Sequence, residues 1–234
     1  MSLKKLKPAL GIILATTLAL PILIALGVWQ LNRAEEKQIL QNEYDRRAAV
    51  SPVRITGLLQ AADDLRFYRV TASGFYDPDH QVLLDNRTHE GRAGYHVITP
   101  IIIKGSDTRI LVNRGWVPLG QSRQILPRVD PPKGLQTVVG VATIPVKGGF
   151  QLGELPVIDS PWQTVWPRLD IDHFQKLTGL KTQPATILLE PESEAGGYIR
   201  HWKRLDAGIA VHHGYAFQWF ALALVLVVML LVAT

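Results

Sequence analysis

Two long apolar stretches, one near each end of the 234-residue chain, constrain its fold more than any other feature. The first runs from Ala9 to about Val28, and the second, Tyr215 to Thr234, contains no charged residue. A helix rises about 1.5 Å per residue, so about 20 apolar residues cover the roughly 30 Å hydrocarbon core of a bilayer. The sequence therefore predicts two transmembrane helices that flank the rest of the chain.

The first apolar stretch has an alternative interpretation as a cleaved signal peptide, because Ala25-Leu26-Gly27 resembles a small-x-small cleavage site. The apolar region of a signal peptide is typically about 7–15 residues long, however, and this one is longer, which favours a retained helix. Lys4, Lys5 and Lys7 precede the stretch. The positive-inside rule then predicts that both termini are cytoplasmic and that the central domain is periplasmic.

The composition argues against several classes of function. The net charge is +5, but the three lysines of the N-terminal tail account for much of it, so no clustered basic face predicts nucleic-acid binding. The chain has no cysteine, which excludes disulfides, thiolate metal sites, covalent c-type haem attachment and cysteine nucleophiles. No nucleophile elbow, phosphate-binding glycine loop or zinc-binding helix motif is present, so the sequence does not predict an enzyme.

Between the apolar stretches, the sequence predicts a helical extension and then a β-rich domain. Residues 29–49 are rich in helix formers and contain neither glycine nor proline, and Trp29 lies where an interfacial anchor belongs. We divide the chain into a cytoplasmic tail (1–8), a first transmembrane helix (9–28), an amphipathic extension (29–49), a periplasmic β-rich domain (50–211), and an interfacial entry with the second transmembrane helix (212–234).

Seven runs rich in Val, Ile, Leu, Tyr and Phe, separated by turn clusters, predict the strands of this domain. They are Arg66–Tyr76, His80–Arg87, Tyr95–Ile103, Arg109–Val117, Leu135–Ile144, Gln163–Arg168 and Ala185–Glu190. One short helix is predicted at Asp170–Leu177, capped by Asp170 and stopped at Gly179. The predicted fold class is an α+β membrane protein: two transmembrane helices flank a mostly antiparallel, barrel-like β domain with one or two short helices.

Two strand ends carry an Asn-Arg pair, at Asn86-Arg87 and at Asn113-Arg114. The two arginines could bind carboxylates or phosphates through bidentate hydrogen bonds. The alternative, which the residues alone favour, is that each asparagine caps a turn and each arginine pairs with a local acid.

The start of the second apolar stretch carries the other candidate site. On a helix, His212, Tyr215 and Trp219 share a face, whereas His213 points about 100° away, so one histidine can look towards the first helix while its neighbour looks outwards. Imidazole is a common ligand of metals and of haem iron. The alternative is an interfacial belt, in which Tyr, Trp and His commonly lie, and side-chain chemistry alone favours the belt.

Four motifs occur in order along the chain. They are Gly27-x-Trp29-Gln30-Leu31-x-Arg33, Leu84-Asp85-Asn86-Arg87 with Gly94-Tyr95, Leu111-Val112-Asn113-Arg114-Gly115-Trp116-Val117-Pro118, and His212-x-Gly214-Tyr215-Ala216-x-Gln218-Trp219-Phe220. With these motifs the chain resembles the surfeit locus protein 1 family, in a bacterial form, over nearly its whole length.

The resemblance implies a function in the biogenesis of haem-copper terminal oxidases, chiefly cytochrome c oxidase, in the bacterial inner membrane. It implies that the protein binds haem a and helps to deliver it into oxidase subunit I, with haem a synthase as a second partner. The family's histidine at the start of the second span falls on His212, the expected ligand of the haem iron, and the adjacent His213 is the alternative. The other expected haem-binding residues are Tyr215, Trp219, Trp29, Arg33, Arg87 and Arg114.

Two other functions remain as alternatives. One is a haem-free membrane scaffold that stabilises an oxidase assembly intermediate, in which His212 is only an interfacial anchor. The other is a membrane-anchored periplasmic enzyme, against which the absence of a nucleophile–base motif argues.

Overall fold

The computed structural model describes residues 3–120, 122–145, 162–202 and 208–233, with the backbone alone at 3–10, 12 and 233. The first two residues of the predicted tail 1–8, parts of the predicted domain 50–211 and the last residue of the second predicted span lie outside these ranges. The chain divides into two compact units, which we call the helical unit (Met1–Glu43 with Lys203–Thr234) and the barrel unit (Tyr44–Trp202).

Four helices and eight strands form the described structure. The helices are α1 (Leu3–Ala48), α2 (Ala62–Leu65), α3 (Ile171–Thr178) and α4 (Ile209–Ala233), with a 3-10 turn at Pro78–His80. The strands are β1 (Val53–Arg54), β2 (Arg69–Tyr76), β3 (Val82–His89), β4 (Arg92–Ile103), β5 (Arg109–Pro118), β6 (Leu135–Thr143), β7 (Val165–Trp166) and β8 (Thr182–Leu189).

The two long helices, α1 and α4, are the two predicted apolar helices. Both are long and apolar enough to cross a membrane, over Ile13–Ala48 and Ile209–Val232, with mean hydropathies of 1.9 and 2.4 in their most apolar windows. Most of their large apolar side chains are exposed in the chain itself, as expected where lipid rather than protein surrounds a helix. Helix α1 continues without interruption through the stretch predicted as a helical extension.

Within the helical unit, α1 and α4 bury one stripe each, and we call the contact between these stripes the seam. The α1 stripe contains Gly27, Gln30 and Ala34 and continues to Gln41, which we do not include in the seam. The α4 stripe contains His212, Ala216, Trp219 and Ala223. Spacings of three, four and seven residues keep a stripe on one side of a helix, which is the pattern of a coiled-coil seam. At Gly27 the helices approach so closely that an added Cβ would lie 2.6 Å from the ring of Phe220.

The barrel unit is built on a closed five-stranded barrel in the order β2-β6-β8-β5-β4, which the pairing of β2 with β4 closes. Strand β3 extends the sheet from β4, β7 adds to β3, and β1 adds to β2. Most pairs are antiparallel, and the parallel pairs are β1–β2, β3–β7 and β5–β8. The structure therefore confirms the predicted two apolar helices around a mostly antiparallel, barrel-like domain.

All residues of β5 from Ile110 to Val117 are buried, because one face of the strand lines the barrel core and the other is covered as well. Helix α3 has the predicted ends. Asp170 accepts a hydrogen bond from the backbone N–H of His173 at 2.9 Å, and Gly179 adopts the left-handed conformation with φ 69°.

Several predicted boundaries are wrong, and two elements were missed. The strand predicted at Gln163–Arg168 shrinks to two residues, Val165–Trp166, and the last strand begins three residues earlier than predicted, at Thr182. The missed elements are β1 and α2, which have two and four residues and are too short to show a periodic pattern.

Candidate functional site

His212 lies in the first turn of α4, and its imidazole reaches across the seam to α1. Its Nδ1 atom is 2.6 Å from the side-chain oxygen Oε1 of Gln30. A carbonyl oxygen only accepts hydrogen bonds, so Nδ1 carries the proton and donates it. The lone pair of the neutral ring then resides on Nε2, the nitrogen that can bind a metal.

The two adjacent histidines point in different directions, as the helical spacing predicts. His212 is half-buried against α1, whereas His213 is exposed. Of the two, only His212 lies in the seam, and the structure therefore favours it over its neighbour as a residue held in a fixed orientation.

Trp219 lies two turns after His212 on the same side of α4. Its indole Nε1 is buried and donates to no acceptor among the described residues, and an unpaired buried donor is uncommon enough to mark a position where a partner is missing. Tyr215, three residues after His212, is 48% exposed. The buried stripe passes instead through Ala216, four residues after His212, and Tyr215 lies outside the seam.

Trp29 and Arg33 lie on the exposed side of α1. The guanidinium carbon of Arg33 is 6.0 Å from the centre of the Trp29 ring. Arg33 also donates to Glu36 at 2.6 Å, but both side chains of this ion pair are more than half exposed. An exposed pair of this kind contributes only about 0–1 kcal/mol, so the guanidinium is easily redirected to another anion.

Arg114 has a structural environment in the barrel unit. It is 1% exposed, and its three nitrogens donate to protein acceptors, among them the carbonyl oxygens of Gly196 at 2.7 Å and Val129 at 2.9 Å. The rings of Tyr76 and Tyr198 flank its guanidinium at 5.3 and 5.0 Å. Its acceptors are carbonyl oxygens and the hydroxyl of Thr99 rather than the predicted local acid, and we assign Arg114 to the stability of the barrel.

Arg87 has the same sequence context but a different environment. Its Nε is buried and has no hydrogen-bond partner in the described part of the chain. Burial lowers the pKa of this guanidinium, and the charge of Asp85 opposes the shift. Asp85 itself forms an ion pair with Arg123. Arg87 is therefore the better placed of the two arginines to receive an external anion.

Next to Arg87, His96 is a neutral imidazole. Burial, helped by the charge of Arg87, lowers its pKa to about 4. Its Nδ1 accepts from the side-chain amide of Asn113 at 3.3 Å. The oxygen of the same amide accepts from the backbone N–H of Gly115. This bond lies inside β5, where its register with β4 shifts, and not at a turn as one alternative predicted. Gly115 itself has φ 117°, and a Cβ there would meet the carbonyl oxygen of Ile199 at 2.6 Å.

The structure places the predicted site residues in two groups. His212, Trp219, Tyr215, Trp29 and Arg33 belong to the helical unit. The arginines at 87 and 114 belong to the barrel unit. Across the described residues, no group of three or more His, Cys, Asp or Glu side chains could hold a metal ion.

Gln30 belongs to the first of the four sequence motifs, but the sequence did not predict it as a residue of the site. Its signal is a polar side chain three residues after Gly27 and four before Ala34, inside a buried stripe of a long helix. Polar groups at such positions usually have a specific partner.

Comparison with known proteins matches residues 17–224 to the model of the SURF1 family. A SURF1-like protein of Rickettsia bellii is 29% identical over 214 residues, which cover 88% of this chain and 84% of the relative. A SURF1-like protein of Caenorhabditis elegans is 25% identical over 97% of this chain and 75% of its own. Surfeit locus protein 1 of Arabidopsis thaliana is 31% identical over 42% of this chain and 31% of its own.

Proposed function

The chain belongs to the SURF1 family, and on that premise we propose that it is an assembly factor for a haem-copper terminal oxidase. It binds haem a and assists its insertion into oxidase subunit I, after receiving it from haem a synthase. The protein acts without catalysing a reaction, as a membrane-bound carrier for the cofactor.

One observation carries the haem part of the proposal: the hydrogen bond of 2.6 Å between Nδ1 of His212 and Oε1 of Gln30. A histidine that binds a metal almost always donates its other ring N–H to a carbonyl or carboxylate, which fixes the tautomer and makes the ligating nitrogen more basic. His212 has this arrangement before any metal is bound, with Nε2 as the nitrogen for the haem iron.

The surroundings of His212 have the chemistry that a haem requires. The outer faces of α1 and α4 are apolar and exposed, which suits a large apolar macrocycle at the edge of a bilayer. Arg33, three residues after Gln30, is a cation whose ion pair with Glu36 is exposed, and it can pair with a propionate. The indole N–H of Trp219, which has no acceptor among the described residues, offers a donor to a polar haem substituent.

In the barrel unit, taken by itself, Arg87 is the candidate for binding an anion because its buried Nε has no acceptor among the described residues. Tyr215 and Trp29, each about half exposed, are assigned to contacts with the macrocycle or the bilayer interface. Arg114 is omitted from the haem site, since its nitrogens already donate to the barrel.

We assign the protein to the inner membrane of a bacterium, with two spans, cytoplasmic termini and a periplasmic barrel unit. The apolar lengths of α1 and α4 support the two spans. The three lysines before the first span support the orientation.

The test compares His212→Ala with His213→Ala, each purified in detergent from cells that make haem a. We expect the wild type and His213→Ala to be purified with a low-spin haem a spectrum and His212→Ala to lose at least nine-tenths of it. Cytochrome oxidase activity of the same cells should fall with His212→Ala alone. Full haem content and normal oxidase activity in His212→Ala would show that the proposed site is wrong.

A second function, a haem-free scaffold, is supported by the same hydrogen bond interpreted as a helix–helix contact. Interhelical bonds of this kind contribute about 0.6 kcal/mol on average in membranes. A colourless wild-type protein from cells that make haem a, still captured with subunit I, would favour the scaffold over the carrier.

A further inference from the structure

We infer that Gln30 is a positioning residue for His212: it selects the Nδ1–H tautomer and the ring orientation, so that Nε2 is the ligating nitrogen. This inference rests on the proposed haem site at His212. The inference adds the residue on α1 that orients the ligand, and it applies to the protein without haem as well.

The amide of Gln30 is itself held in place. Gln30 is 9% exposed, and it lies between Gly27, on which the Phe220 ring packs, and Ala34, which is 1% exposed. On α4, the next buried position after His212 is Ala216, which is 2% exposed. Small residues therefore let the two helices approach closely on either side of the Gln30–His212 contact.

The identity of the glutamine matters because its oxygen can only accept. In water the two neutral tautomers of a histidine coexist, and either nitrogen can bind a metal. An acceptor fixed 2.6 Å from Nδ1 stabilises the tautomer with the proton on that nitrogen. The other tautomer would place two acceptors against each other in a seam with few alternative partners, which is costly in an apolar environment. His213, outside the seam, is not constrained in this way.

The test begins with the haem-free, full-length protein in detergent micelles, labelled with ¹⁵N-histidine. The signal of His212 is assigned by its loss in His212→Ala, and its two nitrogen shifts report the tautomer at a pH where the ring is neutral. We expect the Nδ1–H tautomer in the wild type and in Gln30→Glu, which keeps an acceptor. We expect the Nε2–H tautomer to predominate in Gln30→Met, which keeps the volume but has no acceptor oxygen.

The second measurement titrates the same proteins with ferrous haem a. Loss of the orienting acceptor in Gln30→Met should weaken binding by about 10–100-fold, and Gln30→Glu should bind within about threefold of the wild type or more tightly. The matched control is Gln41→Met, a second buried glutamine on the same stripe of α1. It lies eleven residues, or about 16 Å, further along the helix and should change haem affinity by less than about twofold.

The outcomes separate this inference from the proposed function. An Nε2–H tautomer in the wild type, or an unchanged tautomer in Gln30→Met, overturns the role of Gln30 whatever the haem titration gives. Unchanged haem affinity in His212→Ala overturns the haem site. If haem affinity is unchanged in His212→Ala but the tautomer of His212 still depends on Gln30, then Gln30 orients His212 only as part of the packing of the two helices.

Discussion

The helical unit and the barrel unit differ in how fully their buried polar side chains are hydrogen-bonded. In the barrel unit, Arg114 is almost fully buried and uses its nitrogens on carbonyl oxygens of the protein. In the helical unit, the partly buried His212 uses one ring nitrogen on Gln30, and its other nitrogen has the chemistry of a metal ligand. A polar side chain whose hydrogen bonds are all made within the protein stabilises the fold. A side chain that one hydrogen bond orients, and whose other polar atom remains available, is suited to binding.

Substitution of Arg114 gives the largest expected effect on the barrel side of this comparison. Arg114→Met should lower the free energy of unfolding by about 3–5 kcal/mol, because several buried carbonyl oxygens lose their donor together. Urea unfolding in detergent, followed by tryptophan fluorescence, measures this loss. Arg92→Met, at an exposed position of β4, should stay within about 0.5 kcal/mol of the wild type. Equal stabilities for the two variants would remove the structural role of Arg114.

The buried His96 should give the barrel a pH dependence. Its folded pKa is about 4, against an ordinary value of 6.5, so the unfolded chain takes up the proton first as the pH falls. The stability that neutral His96 confers is present above pH 6.5 and is lost as the pH falls towards 4, by an amount on the order of 3 kcal/mol at most.

The measurement is the difference in unfolding free energy between wild type and His96→Gln at pH 7, 5.5 and 4.5. Because other titrating groups are common to both proteins, their contributions cancel in this difference. We expect the difference to shift in favour of the variant as the pH falls. A difference that is constant over this range would mean that folding does not lower the pKa of His96.

In the helical unit, close packing at Gly27 should affect haem a binding but not the stability of the barrel unit. Gly27→Leu places side-chain atoms where the ring of Phe220 lies, and overpacking of this kind costs about 1–3 kcal/mol. It should separate Gln30 from His212 and weaken haem a binding about tenfold, while urea unfolding of the barrel unit stays unchanged.

Two variants control this prediction. Phe220→Ala, combined with Gly27→Leu, makes room for the new side chain and should restore most of the binding. Gly11→Leu makes the same substitution on α1 at a position with no neighbouring atom within 4 Å, and it should leave binding unchanged. Weak binding in Gly11→Leu would show that the effect is not specific to the seam.

The sequence predicts the strands and long helices of this protein well because their signals are local. Runs such as Ile110 to Val112 are apolar whatever the rest of the chain does. The two Asn-Arg pairs, by contrast, look alike in sequence, and what separates Arg114 from Arg87 is the set of acceptors that the fold brings to Arg114 from distant segments, Gly196 among them. Gln30 and His212 are 182 positions apart, so no local pattern could reveal their hydrogen bond.

The exposed pair of Arg33 and Glu36 gives the smallest effect, and it tests whether the helical unit has a cation available for a ligand. Glu36→Gln removes the carboxylate that holds the guanidinium at 2.6 Å. Because both side chains are more than half exposed, the stability should change by less than about 0.5 kcal/mol. Haem a affinity should rise about two- to fivefold, since a propionate no longer competes with Glu36 for Arg33. Glu35→Gln makes the same change in net charge one residue away and should raise the affinity less. If the two variants raise it equally, the effect is one of overall charge, and Arg33 does not contact the ligand.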